Sequence, residues 1–401
     1  MDFALVGESD ESLQLVDLIA NHSDHRIVAQ FPLIAAVDQP WTQATLNPEH
    51  DSWESLLHST VAEAVIISPS DNLELQADCM RKLAQAAVPL WVIHPIGESI
   101  LGYEIEMICQ DSHGLVVPYI PAAHHPAVAQ LIHFSKTRME TIERVNFDRS
   151  LQQRNRHAVL RQLSIDVQLI RMLVGEIQQV AAMNSSSDDS SYRNLSVQMK
   201  SSPGTIVNWS VKPPSESSVA TLQMVTPSET ICLNMSDSVE TWSVESSSGK
   251  HQWSSSTPIN LAQSALDCFV NTVSGTHSPL LWSDACRNLE VAEIVPESIR
   301  RRRTIDLLHE EHSEQATFMG MMAIGGCGLL VFSSLFLVFA GIVEGLRLPF
   351  REHLLWKMWP FYLLVPLAMF LVLQLLKFVF STSEPAAERS NLQNSDKFGK
   401  L

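Results

Sequence analysis

Residues 3–12 read Phe-Ala-Leu-Val-Gly-Glu-Ser-Asp-Glu-Ser, a short apolar run followed by a glycine and an acidic turn. This order is typical of the first βα unit of a dinucleotide-binding fold, where the pattern G-x-G-x-x-G surrounds a pyrophosphate. Only the first glycine of that pattern is present, as Gly7, because Ser9 and Ser12 occupy the other two positions. The stretch therefore predicts either a dinucleotide site at Gly7, Ser9 and Ser12 or a plain tight turn into a helix.

Three carboxylates lie within this turn, on Glu8, Asp10 and Glu11. Beside a helix N-terminus they stabilise the helix dipole, but they repel a diphosphate. The next apolar run, 26–31, ends in Gln30 and Phe31 rather than in the acid that binds the ribose hydroxyls of such nucleotides. Both features favour the plain turn over a working dinucleotide site.

An alternation of apolar runs and helical patterns extends from this turn to about residue 120. The apolar runs are 3–7, 26–31, 64–69, 90–95 and 114–119. The stretches between them are long enough to carry a helix back across a sheet. This alternation predicts an α/β domain over 1–120, a Rossmann-like parallel sheet with both faces covered.

The pattern changes over 121–303, which we predict to be a second α/β domain. Helical patterns occur at 125–133 and 158–174, and a Ser- and Thr-rich region then carries short alternating runs at 196–200, 205–210, 220–225, 230–234 and 241–244. Such alternation predicts an open, mostly antiparallel sheet with one solvated face. Helices at 261–273 and 282–300 are expected to close this domain.

Two long apolar segments lie near the C-terminus, at 317–343 and 354–380. The first carries no charged residue and as a helix would reach about 40 Å, more than the roughly 30 Å of membrane hydrocarbon. The second contains Lys357 and Lys377 near its ends, where long side chains reach the headgroups. The two segments predict a transmembrane hairpin, with a helix lying in the membrane interface as the alternative for 354–380.

The flanks of these segments predict the topology. The arginine run 300–303 precedes the first segment, and a polar linker is expected between them at 304–316. A disordered tail, which carries further cations, is expected at 381–401. The positive-inside rule then places the N- and C-termini in the cytosol and makes the lipid bilayer a partner of the chain. The arginine run could also indicate nucleic-acid binding, but topology or contact with anionic lipid fits its neighbourhood better.

Composition excludes several classes of function. The 401-residue chain has a net charge of −17, and so acidic a surface repels nucleic acid. Its six cysteines form no C-x-x-C pair, so neither a zinc cluster nor a disulfide framework is indicated. His124, His125 and His133 could be considered as metal ligands. On a helix, however, His125 and His133 would lie two turns apart, which is too far for them to share an ion. We therefore predict no nucleic-acid partner and no metal.

Several stretches, in order, resemble the Gfo/Idh/MocA oxidoreductases over about residues 1–305. With the family's own pattern in parentheses, the stretches are 53–57 with 64–69 (W-x-x-L-L and A-V-x-I-x-T-P), 90–96 (V-x-V-E-K-P-L), 125–128 (H-P-A-V), 165–176 (a helix that ends in L-L-G-E) and the closing helix from 288 to 303. The resemblance implies a Rossmann domain followed by an α/β domain with an open sheet. It also implies NAD or NADP as cofactor, held near Gly7, Ser9, Ser12, Ser68 and Pro69, and a homo-oligomer formed through the open sheet.

The departures from the family pattern fall on the groups that carry its chemistry. His94 stands where the family has a catalytic lysine, and Ile93 replaces the acid before it; Ile165, Arg161 and Leu73 replace a histidine, an aspartate and a second histidine. Hydride transfer from a hydroxyl needs a base near the proton that it removes. His94 is the remaining candidate catalytic residue, and the alternative is a histidine satisfied at a strand end.

Three functions are compatible with these features. The favoured hypothesis is a membrane-anchored protein that keeps the oxidoreductase fold, has lost the dehydrogenase chemistry and acts as a binding, scaffold or sensor module for an unidentified small molecule. The alternative is an active NAD(P)-dependent oxidoreductase on a sugar or sugar nucleotide, using His94. The third is an assembly subunit whose open sheet contacts a partner.

Overall fold

The computed structural model describes most of the chain up to residue 307 and short pieces after it. The described residues are 1–31, 33, 52–57, 62–70, 72–137, 142–185, 190–214, 219–249, 252–254, 258–276, 278–307, 331–343, 345, 361 and 364. The chain divides into two compact units, Met1–Leu308 and His309–Leu401.

The first unit begins with a parallel sheet, as the alternation of apolar runs predicts. Its strands are β1 (Asp2–Val6), β2 (Arg26–Phe31), β3 (Ala64–Ile67), β4 (Leu90–Ile93) and β5 (Val116–Tyr119). Within the described residues their order is β2-β1-β3-β4-β5, and every neighbouring pair is parallel. The order changes direction at β1, so the β1–α1 turn lies where α/β sheets of this kind bind ligands.

Helices cover both faces of this sheet. Those of the first half are α1 (Asp10–Ala20), α2 (Leu73–Gln85) and α3 (Ser99–Ser112). Alternate side chains of each strand enter one of two cores, so that β3 and β4 are buried along their whole length. This double burial explains why the strands are continuous apolar runs.

The helix predicted at 261–273 has the expected bounds but a different place. This helix, α6 (Leu261–Val273), packs against the parallel sheet rather than closing the second domain. Phe269 is fully buried and stacks on Trp91 of β4, with 4.9 Å between ring centroids. An amphipathic pattern shows which face of a helix is apolar, but it does not show which surface covers that face.

The second half of the unit contains a mixed, mostly antiparallel sheet, as predicted. Its strands are β6 (Arg144–Ser150), β7 (Ile177–Met183), β8 (Ser196–Ser201), β9 (Ile206–Lys212), β10 (Ala220–Val225), β11 (Thr230–Met235), β12 (Ser243–Ser246), β13 (Gln252–Ser254) and β14 (Ile305–Asp306). Among the described residues their order is β13-β12-β11-β10-β6-β9-β8-β7-β14, and only β6 and β9 are parallel neighbours.

One face of this sheet is packed, and the other is polar. The packed face meets α4 (Pro126–Thr137), α5 (Arg156–Val174) and α7 (Trp282–Arg301). The sequence prediction misses β6 and β7, because Asn146 and Asp148 interrupt the apolar residues of β6 and the adjacent Gln178 and Gln179 interrupt those of β7. Part of the linker predicted at 304–316 belongs to the sheet, since Ile305 and Asp306 form β14 against β7.

Little of the predicted hairpin falls on described residues. The segment 354–380 lies almost wholly outside them, as do the tail 381–401 and the remainder of the linker. Residues 331–343 are helical, and their large apolar side chains are mostly exposed. In the described part of the chain, we find no helix that combines the length and the apolarity needed to cross a bilayer.

Candidate functional site

A cleft of about 1050 Å³ opens at the carboxyl ends of the parallel strands. The β1–α1 turn and the segments after β3 and β4 line one side, and the N-terminal half of α5 and the middle of α7 line the other. Predicted residues Ser9 and Pro69 face this cleft, whereas Gly7, Ser12, Ser68 and His94 lie buried behind its wall. The predicted residues therefore come together at one sheet edge, but only two of them are presented to a ligand.

Gly7 is required by the packing of the turn. Its φ is +84°, and a Cβ built on it would lie 2.9 Å from the carbonyl oxygen of Ser68. Its N–H donates to the carbonyl of Phe31, at 2.9 Å. The glycine thus lets β1, β2 and β3 end close together, and its N–H is already used.

Ser9 and Ser12 form a capping box at the start of α1. The Ser9 N–H donates to Ser12 Oγ at 2.8 Å, and the Ser12 N–H donates to Ser9 Oγ at 3.2 Å. These are the positions at which glycines would leave room for a pyrophosphate. With their N–H groups bonded within the turn, and with three carboxylates around it (Glu8, Asp10 and Glu11), the residues present fit a diphosphate poorly.

Ser68 and Pro69 follow β3 at the bottom of the cleft. Ser68 is fully buried, and its carbonyl accepts a hydrogen bond from Nε2 of Gln76 at 2.9 Å. Its hydroxyl has no hydrogen-bond partner among the described residues. Pro69 has no N–H to offer and contributes apolar surface to the cleft.

His94 follows β4 and is almost completely buried. Neither ring nitrogen has a hydrogen-bond partner within the described chain. The pKa of His94 is lowered to about 4, chiefly by burial; the nearby Ser164 backbone opposes this shift, and the charge of Arg161 adds a smaller lowering. The imidazole is therefore neutral near pH 7, and no carboxylate or carbonyl of the described residues orients it as the partner of a catalytic base would.

Arg161 and Ile165 of α5 stand where the family has an aspartate and a histidine, and neither side chain accepts a proton near pH 7. Arg161 and Ser164 line the cleft, whereas Ile165 is half-buried and does not. Arg161 pairs with Glu11 of α1 at 3.1 Å, so an ion pair joins the two halves of the unit beside the β1–α1 turn. Leu73, at the position of the second replaced histidine, is an exposed apolar side chain at the cleft rim.

The charged groups of the cleft were not predicted as site residues. They are Glu8, Glu98, Arg156, Arg161 and Glu293, with His157 beside them. Residues 157, 160, 161 and 164 line the cleft, and their spacing places them on one face of a helix. That spacing was visible in the sequence, but which face of α5 meets the cleft depends on the packing of the opposite, apolar face on the sheet.

Of the histidines considered as metal ligands (His124, His125 and His133), His125 has a structural role. His125 accepts a hydrogen bond from the Ala127 N–H at 3.0 Å, and its ring packs 4.3 Å from that of Trp242. Over the described residues, no three His, Cys, Asp or Glu side chains converge as a metal site requires.

The architecture matches solved oxidoreductases along their whole length. An aldose-aldose oxidoreductase from Caulobacter crescentus, crystallised with glycerol, aligns with a TM-score of 0.63 at 13% identity, over 77% of this chain and 99% of that one. A myo-inositol dehydrogenase from Corynebacterium glutamicum gives 0.58 at 15% identity, over 77% and 99%. An oxidoreductase from Agrobacterium radiobacter, in complex with NAD+, L-tartaric acid and magnesium, gives 0.59 at 12% identity, over 76% and 98%.

The fold is that of Gfo/Idh/MocA-type oxidoreductases. The fold implied by the sequence resemblance is thus confirmed. No model of a known protein family matches the chain, and no curated protein matches it in sequence. The likeness is therefore one of fold, and the residues of the cleft have to be judged on their own chemistry.

Proposed function

We propose that this protein is a ligand-binding or sensor module that keeps the oxidoreductase fold and its cleft but does not transfer hydride. The observation that carries the proposal is the β1–α1 turn. There the N–H groups of Gly7, Ser9 and Ser12 are bonded within the protein, and acidic side chains surround the place of a diphosphate. The state of His94, which is buried, neutral and without an orienting partner among the described residues, supports the same conclusion.

The ligand of such a module would be a small polar molecule. The cleft combines apolar walls (Pro69, Leu73, Leu160 and Leu289) with carboxylates and guanidinium groups of both signs. A molecule with several hydroxyls and little net charge suits this lining better than a dinucleotide does, because the carboxylates on the β1–α1 side repel phosphates.

We also propose that the C-terminal segments attach the protein to a membrane. The segments 317–343 and 354–380 form the hairpin in this proposal, and both chain ends face the cytosol. Support comes from the charge-free sequence of 317–343 and from the exposed apolar side chains of the helix at 331–343, among them Phe332 and Leu335. Reporter fusions after Leu401 and within 344–353 test this topology: we expect reporters active on opposite sides, and a cytosolic reporter in both would refute the hairpin.

The loss of hydride transfer is tested by a turnover assay on the full chain in detergent. The chain is incubated with NAD+ or NADP+ and a panel of polyols and aldoses, and formation of reduced nicotinamide is followed by absorbance. We expect no rate above that of the nucleotide and sugar alone. Saturable turnover by the unaltered chain would overturn the proposal, and its loss in His94→Ala would identify His94 as the base.

The second candidate is an active NAD(P)-dependent oxidoreductase. The size and position of the cleft favour it, since the cleft lies at the end of the parallel sheet that carries nucleotides in this fold. One similar structure also contains NAD+. Under this candidate the same assay would give turnover, and the base would have to be His94, His157 or one of the cleft carboxylates.

A further inference from the structure

A second cavity, of about 1200 Å³, lies where the C-terminal end of α7 meets β7. Four of its lining residues are arginines, namely Arg156, Arg300, Arg302 and Arg303, and we call it the arginine cavity. Its carboxylates are those of Glu293 and Glu297. This concentration of cations is unusual in a chain with a net charge of −17.

Three of the four arginines in the arginine cavity form no ion pair with a described residue, and the arginines outnumber the carboxylates there by two. Glu297 pairs with Arg300 and with Arg301, the one member of the run that does not line the cavity. Glu293 accepts hydrogen bonds from the N–H and hydroxyl of Ser99. Within the described part of the chain, Arg156, Arg302 and Arg303 have no ion-pair partner.

The backbone that carries Arg302 and Arg303 is fixed. Ser298, which is buried, donates its hydroxyl to the Arg303 carbonyl at 2.9 Å and accepts the N–H of Ala182 of β7 at 2.9 Å. Strand β14 follows immediately and pairs with β7. The arginines are therefore held against the sheet edge by the fold, and a ligand would not have to order this backbone on binding.

We propose that the arginine cavity binds a phosphate-bearing anion. The planar guanidinium group donates paired hydrogen bonds that match the oxygens of a phosphate, and several of them at one cavity recognise a phosphate more strongly than a single cation does. The phosphate could belong to a soluble ester or to a lipid headgroup, because the arginine run precedes the predicted membrane segment 317–343 in the sequence. This inference does not depend on the loss of hydride transfer.

Hydrogen exchange on the full chain in nanodiscs tests the proposal and separates the two sources. One arm uses phosphatidylcholine nanodiscs with added sodium pyrophosphate, and the other uses nanodiscs that contain phosphatidylserine, without pyrophosphate. We expect slower exchange of the backbone N–H groups of β7 and 298–306 in at least one arm. Protection in the first arm assigns a soluble phosphate, and protection in the second assigns a lipid headgroup.

Variants that each remove one positive charge show whether the protection depends on the arginine cavity or only on the total charge of the protein. Arg303→Gln and Arg156→Gln are expected to raise the pyrophosphate concentration for half-maximal protection at least tenfold, or to abolish the protection by phosphatidylserine. Arg301→Gln is the matched control, and it should change this value less than twofold. Absence of protection in both arms, or an equal loss in Arg301→Gln, would overturn the proposal.

Discussion

At the scale of single residues, the polar groups beside the cleft either form hydrogen bonds within the protein or are buried away from a ligand. Ser9 and Ser12 bond to each other, Gly7 bonds to the end of β2, and His94 has no partner among the described residues. A site for a dinucleotide and a proton transfer needs the reverse arrangement, with free N–H groups and an oriented base. Two of these residues allow direct tests.

His94 makes the stability of the protein depend on pH. Its pKa is lowered from 6.5 to about 4, so as the pH falls below about 6.5 the unfolded chain binds this proton before the folded chain does. The group has no effect on the free energy of unfolding above that range, and it lowers that free energy progressively between pH 6.5 and pH 4, by up to about 3 kcal/mol. Urea unfolding at a series of pH values measures the slope.

His94→Leu should remove this part of the pH slope. At pH 7 its free energy of unfolding should equal or exceed that of the unaltered chain, because a buried polar group without a partner is removed. His157→Leu, which replaces an exposed histidine on the same cleft, serves as the control and should keep the slope. A loss of more than about 2 kcal/mol at pH 7 in His94→Leu would show that the imidazole makes a stabilising contact.

Gly7→Ala should destabilise the protein by more than about 2 kcal/mol, since a left-handed φ and a contact of 2.9 Å with a carbonyl oxygen act together. Gly249→Ala is the matched control. Gly249 also has a positive φ, +66°, but nothing lies within 4 Å of the place that a Cβ would take, so only the backbone cost of roughly 1 kcal/mol applies. Equal losses in thermal or urea unfolding would mean that the β1–α1 turn can move away from β3.

At the scale of elements, α5 is attached to the second sheet by a buried carboxylate. Asp166 is fully buried and accepts hydrogen bonds from Arg149 of β6 and from Trp209 Nε1 of β9, the latter at 2.9 Å. Gln162, one turn earlier on α5, donates to it at 2.9 Å. This network fixes the helix whose opposite face lines the cleft.

Asp166→Asn should lower the free energy of unfolding by about 3–5 kcal/mol, because it leaves the guanidinium of Arg149 buried without its counter-charge. Asp148→Asn is the comparison. Asp148 lies on the same strand as Arg149, but on the polar face, where it pairs with the exposed Lys212, and its loss should cost less than about 1 kcal/mol. Similar losses for the two variants in urea unfolding would contradict the structural role of the network.

The sequence predicts elements better than it predicts their partners. Strand β2 and helix α6 have the predicted bounds, because apolar runs and amphipathic patterns are local properties. The packing of α6 on the first sheet, the buried Asp166 network and the cleft-facing side of α5 depend on residues far apart in the chain. The capping box was within reach, since Ser9 and Ser12 have the spacing of such a pair.

At the scale of the whole molecule, the first unit combines an oxidoreductase fold with an acidic cleft. At the β1–α1 turn of this cleft, where the fold places a dinucleotide, Ser9 and Ser12 hydrogen-bond to each other. The Glu11–Arg161 ion pair joins the two halves of this unit beside that end. The arginine cavity carries the opposite charge on the far side of Arg156 and Glu293, the two residues that it shares with the cleft. The two sites adjoin, because Arg156 and Glu293 line both of them, and the arginines therefore lie beside an acidic cleft.

Titration of the full chain with NADH and NADPH, followed by nucleotide fluorescence, tests the central claim most directly. A parallel titration of free tryptophan corrects for absorbance by the nucleotide, and the same titration on Arg303→Gln identifies binding in the arginine cavity, which this variant should weaken at least tenfold. We predict no saturable binding tighter than about 100 μM, roughly 5.5 kcal/mol, in Arg303→Gln. Tighter saturable binding that is equally strong in the unaltered chain and in Arg303→Gln would contradict the account, because it would place a dinucleotide in the cleft.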